Sequence, residues 1–236
     1  MKLFKRILLV LAIIVVLIIS VILINGYQIY SRALEEISLQ DKVNSIRSDE
    51  NFTSINDVPD YYINAIIAVE DHRFREHGAI DIISIGRAIL SNIQQKSLIE
   101  GGSTITQQVA ENLYFIESDD NVILKKVAEI FMAIDLEKNY SKDEILELYF
   151  NIIYFGEGYY GIAEASNGYY QKEPKDLTLY EATLLAGVPN APSVYAPTIN
   201  PDLAKSRQGK VLRSMVEYGY LTQEEADTVL AQQSTE

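Results

Sequence analysis

The chain has 236 residues, of which 48% are apolar and 22% charged, the composition of an ordered globular protein rather than a disordered one. It contains no cysteine, which excludes disulfides and thiolate metal sites. Thirty-three acidic residues against 20 basic ones give a formal charge of −13, and this excludes a nucleic-acid partner, whose binding depends on neutralising phosphates with Lys and Arg.

Residues 7–24, ILLVLAIIVVLIISVILI, are interrupted by one polar side chain, Ser20. As a helix at ~1.5 Å per residue they extend roughly 27 Å, close to the hydrocarbon thickness of a bilayer. Lys2, Lys5 and Arg6 precede the run and the next basic residue is Arg32, so the positive-inside rule predicts a cytoplasmic N-terminus and an exported remainder. NGYQIY follows in place of a small-residue cleavage site, which predicts an uncleaved single-pass anchor. The expected organisation is a cytoplasmic tip and anchor over 1–26, a juxtamembrane linker over 27–54, one domain over 55–217 and a helical tail over 218–236.

YQIYSRALEEI continues the anchor in helical character, whereas 38–60 is rich in Asn, Ser and Asp and reads as a linker or surface loop. Beyond Tyr61 the signals are helical. Ile82, Ile85, Ile89 and Ile93 recur at helical spacing, as do Val127, Ile130, Phe131 and Ile134. Ser141 with Glu144 and Thr222 with Glu225 have capping-box spacing. Strand-like alternation is scarce, so the expected fold class is mainly α. Three segments break the pattern: GGSTITQQ (101–108), the Gly- and Tyr-rich 154–170, and the proline cluster of 188–201. Such irregular segments on a rigid scaffold are where binding residues concentrate.

Residues 70–78, EDHRFREHG, hold seven ionisable side chains and both histidines of the chain, directly after the apolar run YYINAIIAV. His72 and His77 are five residues apart, about 500° of helical rotation, which does not suit a two-histidine zinc site. Glu70 follows the apolar run, where desolvation raises a carboxyl pKa into the range of a general base or acid; a solvated helix end paired with Arg73 and Arg75 is the bland alternative. In GGSTITQQVAEN, Thr104 and Gln107 form a capping box, Ile105, Val109 and Leu113 a buried stripe, and the free N–H groups of the helix start suit an anion or a sugar. Lys125 stands four residues before Glu129, by default an exposed pair on a solvated face.

Taken in order, these stretches resemble the family-51 glycosyltransferases, the peptidoglycan polymerases that occur alone or fused in class A penicillin-binding proteins. Glu70, Asp71, Phe74 and His77 match an E-D-x-x-F-x-x-H block; Gly101 to Ile105 with Gln107 match G-G-S-T-I-x-x-Q; Lys125, Lys126 and Glu129 match a basic pair before a glutamate. Ile145 to Gly156 match I-L-E-x-Y-x-N leading to Y-F-G, and Glu181 to Tyr195 match E-A-x-L-L-A followed by N-A-P-S-x-Y. The resemblance covers about residues 55–217, and with no transpeptidase segment after it the chain is similar to the monofunctional form.

The resemblance implies a lysozyme-like, two-lobed helical fold on a membrane anchor, and polymerisation of lipid II with inversion and release of polyprenyl pyrophosphate. It implies Glu70 as general base and Glu129 as the second essential carboxylate. It assigns substrate binding to Asp71, Phe74, His77, Arg87, Gly102, Ser103, Thr104, Gln107, Gln108, Asn112, Lys125, Lys126, Glu147, Asn151, Tyr154 and Gly156. The histidines would hold the loop rather than bind metal. A divalent cation, Mg or Mn, is a candidate cofactor, with no organic cofactor. The implied partners are lipid II, the growing glycan, membrane lipid and other cell-wall synthesis proteins, and the Ile-rich 80–99 segment is a candidate for dipping into the bilayer surface. One departure stands out: Glu111-Asn112 replaces the usual Lys-Asn, setting an acid where pyrophosphate is expected. The stretch 115–121 is also two residues longer than usual and lacks an arginine, and H-G-A-I-D replaces H-x-G-x-D. Two other functions stay open, a lysozyme-like glycan-cleaving enzyme with Glu70 as general acid and a catalytically degenerate lipid II-binding scaffold.

Overall fold

The computed structural model describes residues 2–95 and 102–232. Gly101 and positions 96–99 of the Ile-rich segment lie outside the described residues. Among the described residues the chain is helical, and its only β pairing is one isolated bridge, Tyr154 to Tyr160. The helices are α1 (Lys2–Glu36), α2 (Leu39–Arg47), α3 (Asp60–Glu70), α4 (Ile82–Gln95), α5 (Ile105–Ala110), α6 (Val122–Asn139), α7 (Lys142–Ile152), α8 (Gly161–Tyr170), α9 (Leu179–Gly187), α10 (Pro192–Tyr195), α11 (Pro201–Glu217) and α12 (Gln223–Gln232). α1 is long and apolar enough to cross a membrane and is exposed along its apolar span.

Two groups of helices share one apolar core. α3, α9 and α11 pack on one another, with α12 against α9 and α11. α5, α6 and α7 form the second group, with α1 laid along α6, and α2 and α8 against α7. The mainly α, two-lobed class expected from the sequence is observed. α3 is buried along most of its length, through Tyr62, Ile63, Ala65, Ile66, Ile67 and Ala68, which is why its sequence reads as an apolar run without a polar face. Burial of three isoleucines, at roughly 2 kcal/mol each, offsets the several kcal/mol that desolvating one carboxylate at its end costs.

Several helix starts follow the predicted signals. Thr104 with Gln107, Ser141 with Glu144, and Thr222 with Glu225 each bond reciprocally, so side chains satisfy the first N–H groups of α5, α7 and α12.

The expected loop over 38–60 is corrected, because it contains α2. Ser38 caps that helix, and Leu39, Val43 and the partly buried Ile46 form a three-residue apolar stripe against α7 within a polar sequence. The second half of the 154–170 segment is likewise helical, not irregular. Ile162, Ala165 and Ser166 face the core in α8, and the tyrosines cover it in tilted and edge-on pairs. Its start depends on Gly161, at φ +80°, whose added Cβ would lie 2.6 Å from the Asn151 carbonyl oxygen. Gly161→Ala is therefore expected to cost about 1–3 kcal/mol, from left-handed backbone and the close approach together. Urea unfolding of the detergent-solubilised chain would read this as a lower midpoint with an unchanged slope.

Candidate active site

Glu70 is the last residue of α3, and Asp71 ends the helix in a non-helical conformation, φ −157° and ψ 75°. The Asp71 carboxylate is buried and bonded on both oxygens. Oδ1 meets His77 Nε2 at 2.8 Å, and Oδ2 accepts the Ile105 N–H at 3.1 Å. His77 also places Nδ1 2.6 Å from the Gly78 carbonyl, so the ring spans the loop it belongs to. Thr104 donates its hydroxyl to the Ala79 carbonyl at 3.0 Å while capping α5. These bonds pin the start of α5 to the 71–79 loop. One turn along α5, Gln108 Nε2 then donates to Glu70 Oε2 at 3.1 Å.

The other wall is α11. Arg207 places a guanidinium nitrogen 3.5 Å from Glu70 Oε1, and its Nε donates to the Gly187 carbonyl at 3.3 Å. The Glu70 side chain keeps 12% of its surface exposed, and Oε1 accepts no hydrogen bond within the described residues. Burial pushes its carboxyl up from the ordinary range; the Gln108 hydrogen bond and the Arg207 charge pull down, and Asp71 adds a small push. Burial, followed by the charge of Glu70, also drives the Tyr149 phenol far up, which keeps a neutral hydroxyl behind the carboxylate.

Glu70 opens into a cleft of about 560 Å³. Ser103, Gln108 and Glu111 line it from the α5 side, and His72 and Arg87 from the loop and α4. α11 contributes Arg207, Lys210, Ser214 and Glu217, at helical spacing on one face, with Tyr218 just beyond. His72 stacks on Tyr218 at 4.1 Å and 10°, and Arg87 donates to the Tyr218 hydroxyl at 3.3 Å. The histidine is held below its usual range by burial first and then by the Arg87 charge.

Glu129 lies on α6, 2% exposed and paired with Lys126 one turn earlier. The exposed Lys125–Glu129 pair of the simplest sequence reading is thus corrected: the acid faces the core and its partner is Lys126. Burial pushes its carboxyl up against the pull of Lys126, with Glu111 adding to the push and Lys125 opposing it. Glu111 thus lines the cleft while its charge is felt at Glu129. It opens a π-helical turn, Glu111–Phe115, that continues α5, and its carboxylate has no ion pair or hydrogen bond among the described residues. Such wide turns recur at functional sites.

The resemblance-derived site residues divide into cleft and scaffold. Glu70, Arg87, Ser103 and Gln108 line the cleft, whereas Asp71, His77, Thr104 and Gln107 are committed to holding it. The start of α5 is corrected in consequence. Two of its first three N–H groups are taken, that of Ile105 by Asp71 and that of Gln107 by Thr104, and all three residues are buried, which closes them to an external anion. Phe74 is fully buried beneath the Lys142 ammonium, 4.2 Å from the ring centroid. Glu147 accepts the Ile55 N–H, and Asn151 bonds both the N–H and the carbonyl of Thr53, so the two clasp the 53–55 segment. Asn112 donates to the Gln108 carbonyl, and Gly102 packs near Ile85. Tyr154 accepts from the Gly158 N–H and pairs with Tyr160, while Gly156 lies against Pro192 and Ala196. Arg207, Lys210, Ser214 and Tyr218 were not anticipated. The first three share one face of α11, and nothing local in the sequence directs that face at Glu70.

For a metal ion, Asp71, His77 and Asp81 bring ligand atoms within 4.8 Å of one another. Each Asp71 oxygen is already engaged once, by His77 and by the Ile105 N–H, and Asp81 accepts from Ile83 N–H and Ser84 hydroxyl beside Arg73. The trio is a structural knot and does not fit a cation.

The family model described as transglycosylase matches residues 38–216, most of the chain. The chain belongs to the transglycosylase family. This transglycosylase domain is 48% identical over 175 residues to penicillin-binding protein 1F of Bacillus subtilis (strain 168), covering 74% of the chain and 24% of that protein. Penicillin-binding protein 1A of Neisseria lactamica is 46% identical over 179 residues, 76% of the chain and 22% of the relative. The chain thus spans about a quarter of the length of these curated relatives. The crystal structure of penicillin-binding protein 1A from Haemophilus influenzae aligns with a TM-score of 0.43 at 24% identity, over 75% of this chain and 17% of that one.

Asn151 separates scaffold from substrate contact. Asn151→Ala is expected to lose about 1–3 kcal/mol of stability by freeing the Thr53 backbone. Turnover below the unfolding transition should be little changed, which denaturation and activity assays on the same preparation would check.

Proposed function

We propose that the chain is a membrane-anchored peptidoglycan glycosyltransferase that polymerises lipid II into β-1,4-linked glycan, with its N-terminus cytoplasmic and its catalytic domain outside. Glu70 carries this reading: a carboxylate at the cleft wall, raised by burial and held between the Gln108 amide and the Arg207 guanidinium.

The acceptor 4-hydroxyl is a poor nucleophile at neutral pH, so its proton passes to Glu70 as its oxygen bonds to the donor anomeric carbon. The bond from that carbon to the pyrophosphate breaks on the opposite face, which inverts the configuration. The electron pair leaves with polyprenyl pyrophosphate, whose charge needs fixed cations. Lys125 and Lys126 beside Glu129 are candidates, and Arg87 and Lys210 supply positive charge from the cleft walls. Lys210 has no ion pair among the described residues. A divalent cation, Mg or Mn, would be held by the unpaired carboxylate of Glu111 and would supply further charge for the leaving group. Membrane lipid surrounds the anchor, and other cell-wall synthesis proteins are the expected partners.

Glu111 also motivates a second reading, a lipid II-binding scaffold, since an unpaired acid in the cleft repels a phosphate where water is excluded. The raised carboxyl of Glu70 would equally serve a glycan-cleaving acid. Products separate the three: polymer from lipid II, shortened glycan, or binding without turnover.

Glu70→Gln is expected to reduce lipid II polymerisation by about 10²-fold or more while retaining the fold, measured on purified full-length protein. Gln108→Leu removes a hydrogen bond that favours the ionised base, so the Glu70 carboxyl rises further. Since the base works only when ionised, activity should be lost at higher pH as the solution is acidified. A pH profile of kcat/KM for both proteins would show its acid limb displaced upward.

A further inference from the structure

α1 does not end where its apolar span ends. It continues unbroken to Glu36, and from Gly26 onward it lies against α6. Contact there is at backbone distance: a Cβ added to Gly26 would stand 2.4 Å from Val127 Cγ1 and 3.1 Å from the Leu124 carbonyl. Farther along, the Tyr27 and Tyr30 rings lie 5.3 and 5.8 Å from Phe131, and the Tyr30 hydroxyl donates to Asp135. Position 26 meets 124 and 127, and position 30 meets 131 and 135, so the two helices run side by side in the same direction.

That register places the first turn of α6 level with the end of the apolar span. The side chains exposed there are aliphatic: Val122 is 76% exposed and Ile123 60%, and Ile116 in the preceding turn is 57% exposed. Large aliphatic groups at a helix start, next to a helix that leaves the bilayer, are in the position that lipid covers. The acids Glu117 and Asp119 border the patch and are exposed, which limits its depth to the headgroup layer.

We propose that the first turn of α6, through Val122 and Ile123 with Ile116, is seated in the lipid interface beside α1, and that the α1–α6 packing fixes its depth. Lys125 and Lys126 then lie at the level of the lipid headgroups, and Glu129, six residues beyond Ile123, about 9 Å farther from the hydrocarbon at ~1.5 Å per residue. The surface is specific for a lipid bilayer and not for a second copy of the chain, because it is continuous with the membrane-crossing face of α1. The inference rests on α1 spanning the bilayer and is independent of the polymerase reading.

The chain contains no tryptophan, so a single introduced indole reports its own surroundings. Full-length Ile123→Trp, reconstituted in phosphatidylcholine vesicles with and without acyl-chain bromination, is expected to be quenched severalfold more strongly than Leu230→Trp, on α12. Val16→Trp, within the span, serves as the fully quenched reference. Quenching of position 123 no greater than that of position 230 would overturn the proposal. So would an indole shielded from water yet untouched by brominated lipid, because a protein would then cover the patch. Val122→Trp repeats the measurement should Ile123→Trp fail to fold. Adding Gly26→Leu, which forces the helices apart, should weaken quenching at 123 and leave that at 16; unchanged quenching at 123 would show that α1 does not set the depth.

Discussion

The buried carboxylate of Asp71 holds the rest of the site in place. Its two oxygens receive the His77 ring and the first N–H of α5, tying the loop after α3 to the helix that supplies Gln108. Without that junction the ends of α3 and α5 have no shared reference, and Glu70 loses the donor that aims it. Removing one member of such a network leaves a buried charge or an open helix end, each more costly than the bond itself is worth. The histidines that single out EDHRFREHG are thus explained without a metal. His77 stabilises the junction, and His72 stacks on Tyr218 to join the loop to the far wall.

Much of the fold was legible because local signals and tertiary packing agree. Capping pairs at Thr104, Ser141 and Thr222 mark helix starts that the structure uses, and the uninterrupted apolar run of α3 records its burial. α2 was hidden because a three-residue stripe is enough to dock a short helix, and polar neighbours outnumber it. α8 was hidden because its glycines read as breakers, although only Gly161 requires left-handed backbone at its start. In the site, the place of Glu70 after an apolar run left a solvated helix end open, and only the ordered family pattern singled it out. The α11 wall was not legible, since facing the cleft is a property of how α11 packs on α3 and α9 and not of its own sequence. Residues such as Asn151 and Phe74 belong to the family pattern yet serve as clasp and core, so a motif residue need not touch a ligand.

Charge is distributed against the average of the molecule. A chain of formal charge −13 gathers Arg87, Arg207 and Lys210 around one cleft. Arg207 is matched to Glu70, and Arg87 is tied to Tyr218, leaving Lys210 as the unpaired cation opposite the unpaired Glu111 among the described residues. The electrostatics of this cleft are therefore those of a mixed lining that a charged ligand must complete, instead of a uniformly basic trough.

The continuity of α1 into its packing on α6 has a mechanical consequence. A flexible tether limits only how far a domain strays from the membrane, and leaves it free to tumble and swivel. A helix locked at Gly26 and again at Tyr30 transmits orientation as well as distance. The cleft then keeps a constant bearing relative to the bilayer plane. Whatever the cleft holds is then presented at one fixed angle to the axis of α1.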